Sequence, residues 1–141
     1  MPKLIEDALA SNLAVWLADN RPEALLTSVP IHVANRDELR TRPCIVLAAS
    51  DTNPISGTRH TARIKLDVHL FTQSDDTPAE TSAAWAYELA RLLADVAAIQ
   101  ADLNDATFCL HDLLLRDSST VPDESRGRET VISYEAVVSA V

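Results

Sequence analysis

The residues best suited to chemistry are four histidines and two cysteines, and their spacing forms no recognised catalytic or metal-binding motif. No histidine pair has the HxH or HxxxH spacing of metal ligands, and neither cysteine lies in a CxxC pair. Asp67 and His69 are two residues apart and would share one face of a strand, as would Cys109 and His111. A metal site or hydrolytic dyad built from Asp67, His69, Cys109 and His111 is one interpretation. Histidines exposed on a polar sheet face are the other, which we favour.

Glycine content argues against a phosphate-binding loop, because Gly57 and Gly127 are the only two glycines in the chain. A loop that cradles phosphate needs several closely spaced glycines. The acidic pair Asp75-Asp76 precedes a predicted helix, where carboxylates interact favourably with the helix dipole. We therefore expect no cofactor, no bound metal and no catalytic centre, and the chain is not predicted to be an enzyme.

Length and charge limit the remaining classes of function. A chain of 141 residues fits one domain, residues 1–141, and is long enough to bury a hydrophobic core. A formal charge of −9 disfavours binding to DNA, RNA or an anionic membrane, whose phosphates would repel it. No apolar run approaches the roughly 18 residues of a membrane-spanning helix. Cys44 and Cys109 are expected to be buried thiols in a reducing compartment.

The hydrophobic periodicity predicts an α+β fold, a mostly antiparallel β-sheet with two main helices packed on one face. Helices are predicted over residues 4–19 and about 78–98, with Trp16 and Trp85 on their apolar faces. Strands are predicted over residues 29–34, 44–49, 59–72, 107–116 and 129–141. Pro30 would confine the first strand to a sheet edge or mark the start of the strand, because proline lacks the N–H that a central strand needs.

Strand 59–72 is two-faced, and its two faces predict different roles. Its even positions from Ala62 to Leu70 are apolar and should face the core. We expect them to pack against the apolar face of the helix that contains Trp85. The other face carries charged, histidine and aromatic side chains: Arg63, Lys65, Asp67, His69 and Phe71. We expect this face, with Ser133 and Glu135 of the last strand, to contact a neighbouring subunit. Phe71 would be the buried anchor of that contact.

Two polar segments, residues 51–58 and 117–128, are predicted to be long loops. Loops that are long, polar and flanked by strongly patterned strands often carry function. We expect them to contact partner proteins through a set of polar and charged residues: Asp51, Asn53, Gly57, Asp123, Glu124, Arg126 and Arg128.

The order of these patterns resembles a known family of virion proteins. The matching stretches are RPCIVL, then ARIKLDVHLFTQ, then AAWAYELARLLAD, and finally ETVISYEAVVSA. They are similar to the tail terminator and tail completion proteins of long-tailed bacteriophages, which include minor tail and head–tail joining proteins. The resemblance covers the chain from about Arg42 to Val141 and consists of residue types rather than catalytic signatures.

The resemblance implies a structural virion protein that forms a ring, usually a hexamer, at the head-proximal end of the tail tube. Such a ring ends tube polymerisation and provides a surface for neck or head-completion proteins. DNA passes through its lumen without specific binding, which suits an acidic chain. The expected partners are thus further copies of the chain, the tail tube protein and neck proteins, with assembly in the host cytoplasm and no membrane. The alternatives are another neck or head-completion protein, or a small unrelated binding module.

Overall fold

The computed structural model describes residues 2–20, 29, 31–33, 44–54, 61–73, 79–103, 108–122 and 127–140. Within these ranges the chain forms three helices and five strands. In chain order they are α1 (Pro2–Asn20), β1 (Ile31–Val33), β2 (Cys44–Pro54), β3 (Thr61–Gln73), α2 (Ala79–Ala94), α3 (Val96–Leu103), β4 (Phe108–Pro122) and β5 (Gly127–Ala140).

The strands form one mixed sheet in the order β1-β2-β3-β5-β4. The short strand β1 runs parallel to β2, and the other three neighbouring pairs are antiparallel. β1 begins directly after Pro30 and lies at one edge, as predicted from that proline. The predicted α+β fold with a mostly antiparallel sheet is confirmed.

The core lies between one face of this sheet and the helices. On β3, Ile64, Leu66, Val68 and Leu70 are fully buried, so the predicted register of that strand is correct. On β5 the even positions from Ile132 to Val138 are buried beside them. The helices complete this core with Leu9, Leu13, Trp16 and Leu17 from α1, Leu89 and Leu93 from α2, and Ile99 from α3.

The second predicted helix is interrupted at Asp95, so two helices replace the expected continuous one. The Asp95 N–H donates to the Leu92 carbonyl at 3.2 Å, which tightens the last turn of α2. The Asp95 carboxylate accepts the Ala98 N–H at 3.3 Å, the geometry of an N-cap for α3. An aspartate inside an apolar helical pattern therefore marks a new helix start here.

The described parts of the two segments predicted as loops, residues 51–54, 117–122 and 127–128, belong to strands. β2 continues through Pro54, with Asn53 opposite Arg63, after a register shift that follows Ser50. β4 continues through Pro122, and β5 begins at Gly127. Side chains 117–120 on β4 are exposed, so this part of the strand has no apolar face to produce an alternating pattern. The prediction from polar composition was wrong for this physical reason.

Two β-bulges shape strand β4, one between Leu110 and Asp112 and one between Leu115 and Asp117. Each adds a residue to one strand of the pair and shifts the alternation of faces. At the first bulge the Gln100 side chain of α3 donates to the Leu110 and His111 carbonyls, at 3.0 and 3.1 Å. The helix thus satisfies backbone groups where the regular β pairing is interrupted.

Candidate subunit interface

The described helices all pack on one face of the sheet, and we call the other face the open face. It carries the seven side chains predicted to form a subunit contact: Arg63, Lys65, Asp67, His69 and Phe71 on β3, and Ser133 and Glu135 on β5. The antiparallel register places Lys65 opposite Glu135 and Asp67 opposite Ser133. The sequence prediction that these residues share one surface is therefore correct, while their contact with another subunit remains a prediction.

Glu135 is the centre of an ion-pair cluster that crosses three strands. Its Oε1 lies 3.4 Å from Arg63 Nε of β3, and its Oε2 accepts a hydrogen bond from Arg116 Nη2 of β4. The hydrogen bond from Arg116, followed by the charges of Arg116 and Arg63, lowers the pKa of the Glu135 carboxyl below its ordinary value. Lys65 lies opposite Glu135 in the strand register, so three cationic residues lie near one acidic residue, and this group has a positive formal charge within an acidic chain.

The cluster borders a shallow depression of about 380 Å³ on the open face. The side chains of Arg63 and Arg116 are 59% and 60% exposed, so most of their N–H donors face solvent. Charged groups in this arrangement can bind carboxylates of another protein surface.

Arg116 was missed in the sequence because of the first bulge in β4. Simple alternation from the buried Leu110 would place Arg116 on the core face. The extra residue at the bulge exchanges the two faces, so that Leu113 is buried and Arg116 reaches Glu135 on the open face. The only sequence signal for a position of Arg116 on the open face was a charged residue at the end of an apolar strand.

The other end of the open face is more covered. His69 Nδ1 donates to Glu129 Oε2 of β5 at 2.7 Å, and the His69 ring stacks on Phe71 with ring centres 5.9 Å apart. Cys44 and Val46 of β2, which lie opposite Phe71 and His69, are buried. Phe71 itself is half-buried, so part of its ring is already in contact within the subunit.

Asp67 lies between these two ends, opposite Ala48 of β2 and Ser133 of β5. Its Oδ1 is buried and has no hydrogen-bond partner among the described residues. A buried carboxylate oxygen without a donor is unfavourable, so this position would gain from a donor supplied by another molecule.

The hydrolytic interpretation requires His69 and His111 to act together, and the sheet separates them. His69 lies opposite Val131 of β5, whereas His111 shares a 2.8 Å hydrogen bond with Ser139, eight positions further along the same strand. At about 3.3 Å per residue the two histidines are roughly 26 Å apart. They cannot act on one substrate atom. Among the described residues no group of three or more His, Cys, Asp or Glu side chains is arranged to hold a metal ion.

Three of the residues predicted to contact partners from loops lie in strands instead. Asp51 and Asn53 belong to β2 and Arg128 belongs to β5, so they are strand residues rather than loop residues. Gly57, Asp123, Glu124 and Arg126 lie outside the described residues, as does the acidic pair Asp75-Asp76.

Cys44 and Cys109 are free thiols, the first buried and the second half-buried, which corrects the expectation that both are buried. No helix in the described part of the chain is long and apolar enough to cross a membrane.

Comparison with known proteins gives a likeness of fold. No known family profile matches the chain, and no curated protein matches it. Among solved structures, a chain in the virion of a native gene transfer agent particle is similar to it, with a TM-score of 0.68 and 19% identity. That match covers 94% of this chain and 96% of the other. A second solved structure matches with a TM-score of 0.48 and 12% identity, covering 98% and 95% of the two chains, and carries no argument at that score. The chain therefore shares its fold, over nearly its full length, with a component of a virion.

Proposed function

We propose that this protein is a structural virion protein of the tail terminator type. It forms a ring, which we propose to be a hexamer, at the head-proximal end of a bacteriophage tail tube. The ring stops the tube from growing and offers a surface to neck or head-completion proteins. It has no catalytic role and needs no cofactor, and it is assembled in the host cytoplasm before it becomes part of the virion.

The observation that carries this proposal is the near full-length likeness of fold to a chain in a gene transfer agent virion. The likeness supports a virion structural role. The narrower role comes from the sequence, because the stretches ARIKLDVHLFTQ and ETVISYEAVVSA that resemble tail terminator proteins form two neighbouring interior strands of the sheet, β3 and β5.

The open face is the proposed contact between neighbouring subunits. Its mixed charges, with Phe71 at one end and the Glu135 cluster at the other, suit a contact between proteins. Because Glu135 already pairs with Arg63 and Arg116, it is the outward N–H groups of the two arginines that are available to carboxylates of the neighbour. A donor from the neighbour would also satisfy the buried Asp67 oxygen.

The two hairpin ends of the sheet, residues 51–58 and 117–128, are the proposed contacts with the tube and the neck. The described part of the second segment is exposed along residues 117–120. The ring leaves a lumen for DNA, and a formal charge of −9 per subunit suits a channel that does not retain phosphate groups.

The experiment that tests the proposal has two measurements. Light scattering of the purified protein, alone and mixed with the tail tube protein of the same particle, should give a ring mass of several times 15.3 kDa. Electron microscopy of polymerising tube protein should show shorter tubes that end in the ring when this protein is added. Tubes that grow to the same length with and without it would refute the terminator role. A ring that binds the neck but not the tube would instead identify a neck protein.

A further inference from the structure

Among the described strands, β4 lies at an edge of the sheet and carries apolar side chains on both faces. It is the last strand of the sheet, next to β5 only, and it spans Phe108–Pro122. Four large hydrophobic side chains in the described part of the chain are exposed, and two of them, Leu114 and Leu115, are consecutive on this strand. Their exposed fractions are 42% and 56%. A long edge strand with exposed leucines is a template for pairing with another strand.

The sequence of this edge is complementary to itself when two copies run antiparallel. Between His111 and Asp117 it reads HDLLLRD, with Leu114 at the centre. A two-fold axis at Leu114 places that residue opposite its own copy and places Leu113 opposite Leu115. The same register places Asp112 opposite Arg116 at both ends of the pair. Opposite charges directly across an antiparallel pair stabilise it, and this pair occurs twice.

The side chains that this register pairs lie on the same face of the sheet. Leu114 lies opposite Glu135 in the β4–β5 pairing, and Arg116 bonds to Glu135, so both belong to the open face. Asp112 precedes Leu114 by two residues and shares that face. The arginine side chain is 60% exposed, so it has donors left for a second carboxylate.

The backbone of this edge is also available. The Leu113 N–H donates to the Asp112 carboxylate at 2.9 Å, a local bond that can be exchanged for one to a neighbouring strand. Alternation places the Leu115 N–H on the same side of the strand. The two register shifts, at His111 and at Arg116, confine the contact to the five residues from Asp112 to Arg116, so the contact is short and reversible.

We propose that the β4 edge binds the β4 edge of a second copy of this chain, antiparallel and centred on Leu114. The contact is isologous and therefore closes after two copies. It uses the backbone edge of β4, whereas the proposed ring contact uses the open face, and the two contacts have Arg116 in common. Single subunits would form dimers through it, and two rings would stack with dihedral symmetry.

A mass measurement on Leu114→Lys tests the contact whether or not the subunits also form rings. A lysine at the centre of the edge places two ammonium groups opposite each other. Under this proposal the wild-type particle has twice the mass of the Leu114→Lys particle, whether the unit is one 15.3 kDa chain or a ring. Circular dichroism and thermal melting check that the variant is folded, and Val15→Lys, at a more exposed apolar position on α1, is the control. Equal masses for wild type and Leu114→Lys overturn the proposal, as does a halved mass for Val15→Lys.

A charge swap tests the register. Arg116→Glu alone and Asp112→Lys alone each create two like-charge pairs, and each should weaken the dimer about tenfold or more. The double variant restores two opposite-charge pairs, and its dissociation constant should return to within about threefold of the wild type. Arg91→Glu changes an arginine of similar exposure on α2, which pairs with Glu88 and lies away from both contacts, and it should leave dimerisation unchanged. A double variant that dimerises no better than the single variants contradicts this register, and loss of the dimer in Arg91→Glu contradicts the β4 edge as the contact.

Discussion

Arg116 of β4 and Glu135 of β5 form an ion pair across the open face, although simple alternation along β4 would place the arginine in the core. The bulge at His111 is what brings them together, and the same carboxylate also lies 3.4 Å from Arg63 of β3. One acidic side chain thus links three adjacent strands. Its removal or protonation should be detectable in the stability of the sheet.

Glu135→Gln should reduce the sensitivity of the protein to acid. The pKa of Glu135 is lowered in the folded state, first by the hydrogen bond from Arg116. A lowered folded pKa contributes stability above the ordinary value of 4.5, and this contribution is lost as the pH falls below that value through the folded pKa. Thermal melting between neutral and acid pH should therefore show a larger fall for the wild type than for Glu135→Gln. Parallel curves for the two proteins would mean that the ion pairs do not contribute to stability.

Tyr134→Phe should stabilise the protein. Tyr134 is 3% exposed, and its hydroxyl has no hydrogen-bond partner among the described residues. A buried hydroxyl without a partner is unfavourable, so its removal should raise the free energy of unfolding by about 1–2 kcal/mol. Urea denaturation with unchanged m-value measures this. A destabilised variant would show that the hydroxyl has a partner in the folded protein.

The same tyrosine predicts a loss of stability in alkali. Burial raises the pKa of Tyr134 to about 12, whereas its ordinary value is 10.0. The unfolded chain therefore releases this proton first, and the stabilising contribution present below pH 10 is lost as the pH rises toward 12. Unfolding of wild type and Tyr134→Phe across this range should diverge, with the wild type losing more stability. Identical alkaline profiles would contradict the burial of the ionisable hydroxyl.

Leu66→Ala should destabilise the subunit strongly. Leu66 is fully buried in β3, and truncation of such a leucine costs about 2–5 kcal/mol through lost burial and the cavity that remains. Leu114→Ala, on an exposed edge position, is the control and should change the free energy of unfolding by much less. Chemical denaturation of the two variants gives the comparison, and equal losses would show that the core does not lie on the even face of β3.

Phe71→Ala should weaken ring assembly more than Lys65→Ala. Phe71 is the largest apolar group at its end of the open face, while an exposed charge such as Lys65 contributes about 0–1 kcal/mol to a contact. Sedimentation under conditions where the wild type forms rings compares the two. Because Phe71 stacks on His69 within the subunit, the melting temperature of each variant must be measured as well. Normal rings from a folded Phe71→Ala variant would exclude this end of the open face from the contact.

The sequence predicted the parts of the fold that depend on periodic burial. The even face of β3 and the apolar stripe of α1 follow from alternating and helical spacing, the edge position of β1 follows from Pro30, and all three are correct. The bounds of β2 and β4 were not predictable in this way, because their polar ends are stabilised by backbone pairing rather than by burial. Backbone hydrogen bonds leave no pattern of side-chain types.

The candidate site was predictable only in part for a related reason. Residues on one strand share a face by spacing alone, so the β3 set from Arg63 to Phe71 could be assembled from the sequence. Arg116 and Glu129, which bind Glu135 and His69, lie on other strands. Their positions depend on strand order and on a bulge, and neither is encoded in local spacing.

The strand order has a kinetic consequence. β5 is synthesised last among the described strands, yet it lies between β3 and β4 and pairs with β3 along the whole of Thr61–Gln73. Until β5 emerges from the ribosome, β3 has one unpaired edge and β4 has no neighbour in the sheet. The central pairing also joins segments far apart in the chain, which slows folding relative to local hairpins. Folding of the sheet is therefore expected to occur late and in one cooperative step, after β5 has been synthesised.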